Sequence, residues 1–95
     1  MPTEDQVRPD VVKAFADATN HSVADINNIV RYNNDNIAIV LHMSDPAKNA
    51  MAAPLSEISH VKYGGLVVRM SDMQNCSTVT DCIKLTTRRA NKQAD

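Results

Sequence analysis

The stretch Ile58-Ser59-His60-Val61-Lys62-Tyr63-Gly64-Gly65-Leu66-Val67-Val68-Arg69-Met70-Ser71 decides the fold, because two strand-like halves meet at Gly64-Gly65, a dipeptide suited to a two-residue hairpin turn. Counting outward from the turn pairs Tyr63 with Leu66, Val61 with Val68 and Ser59 with Met70 on one face, since side chains alternate along a strand and opposed residues share a side. That face is apolar and is expected to be buried. The opposite face carries His60, Lys62, Val67 and Arg69, a stripe with three side chains able to bear positive charge. A solvated sheet surface is the ordinary role of such a stripe; a contact surface for a partner is the functional one.

Outward from this hairpin, residues 22 to 43 admit two readings. Ile26 to Tyr32 and Ile37 to Met43 flank the turn-rich Asn33-Asn34-Asp35-Asn36, which predicts a second hairpin. Ile37-Ala38-Ile39-Val40-Leu41 is apolar at every position, as a central strand requires. For residues 26 to 32 a helix is the alternative: Ser22 is placed to cap, Asp25 stands at the third position, and Val23, Ile26, Ile29 and Val30 form a stripe.

The flanks are helical in pattern. Thr3 with Gln6 forms a capping-box sequence, and Val7, Val11, Ala14, Phe15 and Ala18 recur at helical spacing, although Pro9 favours a start near Arg8 or Pro9. Ser44-Asp45-Pro46 opens a short helix that Pro54 is expected to stop. Thr78-Val79-Thr80-Asp81 is a further capping-box pattern, followed by a segment readable as a helix or as a fifth strand. Together these elements predict an α+β domain spanning residues 1–95. An amino-terminal helix packs on an antiparallel four-stranded sheet made of two β-hairpins joined by a short helix, and a C-terminal helix or fifth strand follows. Residues 1–7 and 91–95 are expected to fray.

Ninety-five residues suffice for one modest core. With one Phe, two Tyr and no Trp, that core must be built from aliphatic side chains and Met, and ring platforms for stacking single-stranded bases are nearly absent. Met43, Met51, Met70 and Met73 are expected as gap-fillers, an adaptable binding surface being their alternative use. A net charge of −1 gives no global attraction to nucleic acid or to anionic membranes. The charge is nevertheless uneven: Lys84, Arg88, Arg89 and Lys92 follow one another without an intervening acid. No apolar run approaches the roughly 20 residues that span a bilayer, and the acidic amino terminus is unlike an export signal. Two cysteines, Cys76 and Cys82, do not make a disulfide framework, so free thiols and a cytoplasmic setting are expected.

Chemistry is sparse. His42, His60, Cys76 and Cys82 lack the close ligand pairs of a structural zinc site, and no nucleophile is paired with a base by local sequence. Both glycines belong to the Gly64-Gly65 turn, which leaves none for a phosphate-cradling loop. Neither catalytic activity nor a cofactor or metal is expected.

Two resemblances remain. Phe15-Ala16-Asp17-Ala18-Thr19-Asn20-His21-Ser22-Val23-Ala24-Asp25-Ile26-Asn27-Asn28-Ile29-Val30 resembles a helix-turn-helix, with Ala16, Ile26 and Ile29 at its small and apolar core positions and Asn20 at the left-handed turn position. It implies a small nucleic-acid-binding regulator that uses residues 13–31 as the helix-turn-helix, reads with Asn27, Asn28 and Arg31 and grips the backbone with Arg88, Arg89 and Lys92. Val23, Ile26 and Ile29 at every third position, a polar turn, Ile37 to Leu41 and Pro46 also resemble the small β-barrel of nascent-polypeptide-associated complex subunits, which implies an obligate dimer with basic residues near ribosomal RNA.

From the residues alone the leading expectation is a non-catalytic protein-binding or assembly module, with a homodimer as one form of it, since an exposed edge can pair with a second chain. It would act through a sheet edge or the C-terminal segment, with His60, Lys62, Arg69, Arg88, Arg89 and Lys92 at the contact. A small inhibitor of a larger complex is a further alternative.

Overall fold

The computed structural model describes residues 1–94, and these fold as helices and turns with no sheet. The expected four-stranded α+β architecture is therefore corrected, as is the β-barrel that the second resemblance implied. α1 (Glu4–Thr19), α2 (Val23–Arg31), α3 (Asp45–Ala50) and α4 (Ala52–Ser56) are followed by a π-helical segment (Glu57–Lys62), α5 (Met70–Met73) and α6 (Val79–Ala90). The nearest approach to a sheet is one isolated antiparallel bridge between Asn36 and Thr78.

α1 starts at Glu4, ahead of Arg8 and Pro9. The Thr3 hydroxyl accepts from the Gln6 amide at 3.3 Å while the Gln6 side chain accepts from the Thr3 amide at 2.9 Å. Pro9 lies inside the helix and removes one backbone donor, a loss of about 3 kcal/mol in a helix interior. The closed capping box and the full burial of Val7, Val11, Val12 and Phe15 on one face offset it. Of the two ends expected to fray, the first is tied to α6 through the Asn91 amide, which donates to the Pro2 carbonyl at 2.8 Å. Asp95, at the other end, lies outside the described residues.

The Gly64-Gly65 hairpin is replaced by a helix end. Met51, Ala52, Leu55, Ile58 and Ser59 are buried, a helical stripe that begins upstream of the quoted stretch and runs into it. Pro54 does not stop this helix, because it sits in the first turn of α4, where its missing N–H has no intrahelical partner to lose. The expected buried face is broken accordingly: Val68 and Ser59 are buried, but Val61 is 66% and Met70 58% exposed. Gly64 takes the left-handed φ of 70° that ends the helix, and its amide and that of Gly65 donate to the carbonyls of His60 and Ser59 at 2.9 and 2.8 Å.

After Gly65 the chain runs extended, without a partner strand. The Ser59 hydroxyl donates to the Leu66 carbonyl at 2.7 Å, and the Ser56 hydroxyl donates to the Val68 carbonyl and accepts from the Val68 amide at 2.9 and 2.8 Å. His60 Nδ1 donates to the Gly65 carbonyl at 2.7 Å. Side chains of α4 and the π-helical segment thus supply the bonds that a neighbouring strand would have supplied.

The other strands also give way. Ile26 to Tyr32 is almost wholly α2, with the Ser22 hydroxyl accepting from the Asp25 amide at 3.1 Å. Ile37 to Met43 is a series of turns: Ile37 and Leu41 are buried, Ile39 is 72% exposed, and Asn36 Oδ1 accepts from the Ile39 amide at 2.8 Å. The C-terminal element is the helix, not the fifth strand; Thr78 and Asp81 close a capping box at its start. α6 lies against α1 and the π-helical segment, and α2 covers another part of α1, so all four contribute to one apolar cluster. Met51 and Met73 fill that cluster, Met43 lies at its margin, and Met70 faces outward.

Candidate nucleic-acid interface

The motif residues quoted for the helix-turn-helix come together as a pair of helices. Asn20 takes φ 58°, and its amide and that of His21 both donate to the Ala16 carbonyl, which ends α1 and turns the chain. Ser22 then caps α2. Phe15, Ala16 and Ile26 are buried at the junction, and Ile29 and Val30 pack against the same cluster from partly buried positions. With those three apolar residues facing inward, Asn27, Asn28 and Arg31 are left exposed on the outer face of α2.

That face is chemically mixed. Asn27 and Asn28 offer amide donors and acceptors, Arg31 adds a cation, and Asp25 adds an acid. The Arg31 guanidinium lies 5.5 Å from the centre of the exposed Tyr32 ring, within cation–π range. Between α1 and α2 lies a cleft of about 440 Å³ lined by Arg8, Asn27, Val30 and Arg31. On the other flank, a groove of about 320 Å³ runs between α2 and the turns around Val40 and Leu41, with His21, Asp25 and Asn28 at its rim. Arg8 escaped notice in the sequence because α1 was expected to begin beside it. No local pattern marks it, since only the packing of α2 against α1 puts Arg8 and Arg31 on one cleft.

The remaining basic residues do not form one patch. Lys62 Nζ is 2.8 Å from Asp10 Oδ2 and 5.4 Å from the Tyr63 ring centre; the hydrogen bond to the Asp10 carboxylate raises the Lys62 pKa. His60 is exposed but its ring is bonded to Gly65. Arg69 precedes α5, where its amide donates to Asp72 Oδ2 at 2.9 Å. Arg89 is 4% exposed: Nη2 lies 3.2 Å from Asp72 Oδ1 and Nη1 donates to the Gln93 carbonyl at 2.7 Å, so its guanidinium serves the interior. Arg88 is half-buried, beside Asp72, Cys76, Asp81 and Lys84, and Lys92 is exposed in a left-handed turn after α6. The edge-pairing mode has no template among the described residues, since they form no sheet.

Cys76 and Cys82 are free, buried and in contact. The hydrogen bond from the Cys82 thiol lowers the Cys76 pKa, and the same bond, together with burial, raises that of Cys82. Among the described residues no group of three or more His, Cys, Asp or Glu side chains is placed to hold a metal ion, and no helix is long and apolar enough to cross a membrane.

Neither a family model, nor a curated protein, nor a solved structure matches the chain.

Proposed function

We propose that the chain is a small, non-catalytic nucleic-acid-binding regulator that presents α2 to the major groove of duplex DNA. The observation that carries this reading is the left-handed Asn20 between α1 and α2, with Ala16 and Ile26 buried beneath it and Asn27, Asn28 and Arg31 exposed outside. The groove is wide enough to admit a helix, and Asn side chains match the donor and acceptor edge of adenine. Arg31 is suited to a phosphate or a guanine edge. Asp25 opposes phosphate on the same face, so the electrostatic contribution is small and binding is expected to be weak for a single copy. Two copies on half-sites about 34 Å apart would compensate. Two free thiols fit a reducing, cytoplasmic location.

Fluorescence anisotropy against mixed-sequence duplex DNA, at low salt and again near physiological salt, tests the proposal. Saturable binding that weakens with salt and is reduced by Arg31→Ala is the expected result. No binding at low salt would remove the proposal.

A further inference from the structure

We infer that the cleft between α1 and α2 seats one phosphate of the DNA backbone, held by Arg8 from α1 and by Asn27 and Arg31 from α2. This rests on the groove-binding proposal above and names the contact that fixes how α2 enters. Arg8 and Arg31 both line the cleft, so two forked donors that carry no acceptor meet around one space, and the Asn27 amide adds neutral donors. Planar guanidinium groups pair with phosphate through two parallel bonds each. Val30 is the apolar residue of the lining.

The charges of the cleft are available. Arg31 forms no ion pair with a carboxylate among the described residues, and its guanidinium lies 5.5 Å from the centre of the Tyr32 ring. Among the described residues Arg8 forms one ion pair, with Asp5 at 3.6 Å on a side chain 89% exposed, a pair of the kind that contributes little and exchanges readily. A cleft of about 440 Å³ exceeds what a single phosphate fills, leaving room for the sugar on either side and for bridging water. A phosphate contact carries no sequence information, so its role is to set the register of Asn28, which lies outside the cleft, against the base edges.

The full chain and its Arg8→Ala, Arg8→Lys and Asp5→Asn variants are titrated with two duplexes of unrelated sequence over a range of salt. In parallel, inorganic phosphate is titrated while the side-chain NMR signals of Arg8, Asn27 and Arg31 are followed. Arg8→Ala is expected to weaken both duplexes equally and to reduce the salt slope by about 1. Arg8→Lys should keep the slope but bind less tightly, and Asp5→Asn should bind more tightly. Circular dichroism melts of all variants should match the parent, since Arg8 and Asp5 are exposed. If the parent binds DNA and Arg8→Ala leaves affinity and slope unchanged, the cleft assignment is overturned while groove binding stands. If the parent binds no DNA, groove binding falls. The cleft then stands as a phosphate seat if inorganic phosphate moves all three signals, and is overturned if it moves none.

Discussion

The carbonyl of Arg89 accepts the amide of Leu66 at 2.7 Å, and this bond draws the extended segment against the last turn of α6. Gly65 lies so close that a β-carbon there would meet the carbonyl oxygens of Arg89 and Ala90, the latter at 2.6 Å. Its neighbour Gly64 has open space around it and is required only for its φ of 70°. The two adjacent glycines therefore fail differently. Gly65→Ala should cost about 3 kcal/mol, because backbone must move, and Gly64→Ala about 1 kcal/mol from the left-handed conformation alone. Urea midpoints of the two variants check this; equal losses would remove the close-approach explanation.

Asp35 is buried in the turns after α2, yet it serves the start of α6. Its Oδ2 accepts from the Thr80 amide at 2.9 Å and the Thr80 hydroxyl at 2.6 Å, and its carbonyl accepts from the Val79 amide at 3.0 Å. Asp35→Ala should destabilise the fold by about 2 kcal/mol, the upper end of a lost helix cap. Asp35→Asn, which keeps an acceptor oxygen, should lose roughly half of that. Hydrogen exchange at the Thr80 amide should accelerate in both, more in the alanine variant.

The Lys62–Asp10 pair makes a pH-dependent contribution of known sign. The folded state raises the Lys62 pKa above its ordinary 10.5, so the folded protein holds that proton more tightly than the unfolded chain does. The stabilisation is fully present below the unfolded value and is lost as pH rises through the raised folded one. Lys62→Met should therefore melt below the parent at neutral pH, and the gap should close in strong alkali. Both side chains face water at least in part, so the gap itself is small and shrinks with added salt. A gap that widened with alkali would exclude the pair as its source.

Asp25 bears on the proposed DNA contact from the opposite direction to Arg31. Asp25→Asn removes the only acid of α2 and should tighten duplex binding several-fold at low salt, with the gain fading as salt rises. Anisotropy titrations at two salt concentrations measure it. Unchanged affinity at low salt would mean that this face of α2 does not meet phosphate.

Short-range chemistry was the legible part of the sequence. The caps at Thr3, Ser22, Ser44 and Thr78 are local, each set by a hydroxyl and a residue three positions on, and all four form. Asn20 and the apolar positions around it are readable for the same reason, although Ile26 to Tyr32 also reads as the first strand of a hairpin. The stretch from Ile58 to Ser71 misled because its alternation is real over a few residues, whereas the helical stripe that governs it starts at Met51. Pro54 seemed to close that stripe off, and only its place in a first turn makes it compatible. Ile37 to Leu41 is apolar throughout, yet just its two ends are buried, since turns hide an apolar run no better than they need to. Within the candidate interface, Asn27, Asn28 and Arg31 were readable from the motif. Arg8 required the packing of α1 on α2, which no local pattern encodes.

The hydroxyls of Ser56 and Ser59 and the ring of His60 do more than hold the extended segment in place. Gly65 to Met70 is rich in β-forming residues and carries one charge, the composition from which cross-β stacking starts. Because the carbonyls of Gly65, Leu66 and Val68 are already occupied by side chains of the same molecule, a neighbouring molecule finds no row of vacant acceptors on which to add a strand. Any strand pairing through this segment is therefore expected to require loss of α4 and its π-helical continuation. Replacing Ser56 and Ser59 together by alanine should raise the rate of fibril-dye fluorescence growth at a given temperature, and an unchanged rate would mean that these bonds do not protect the segment.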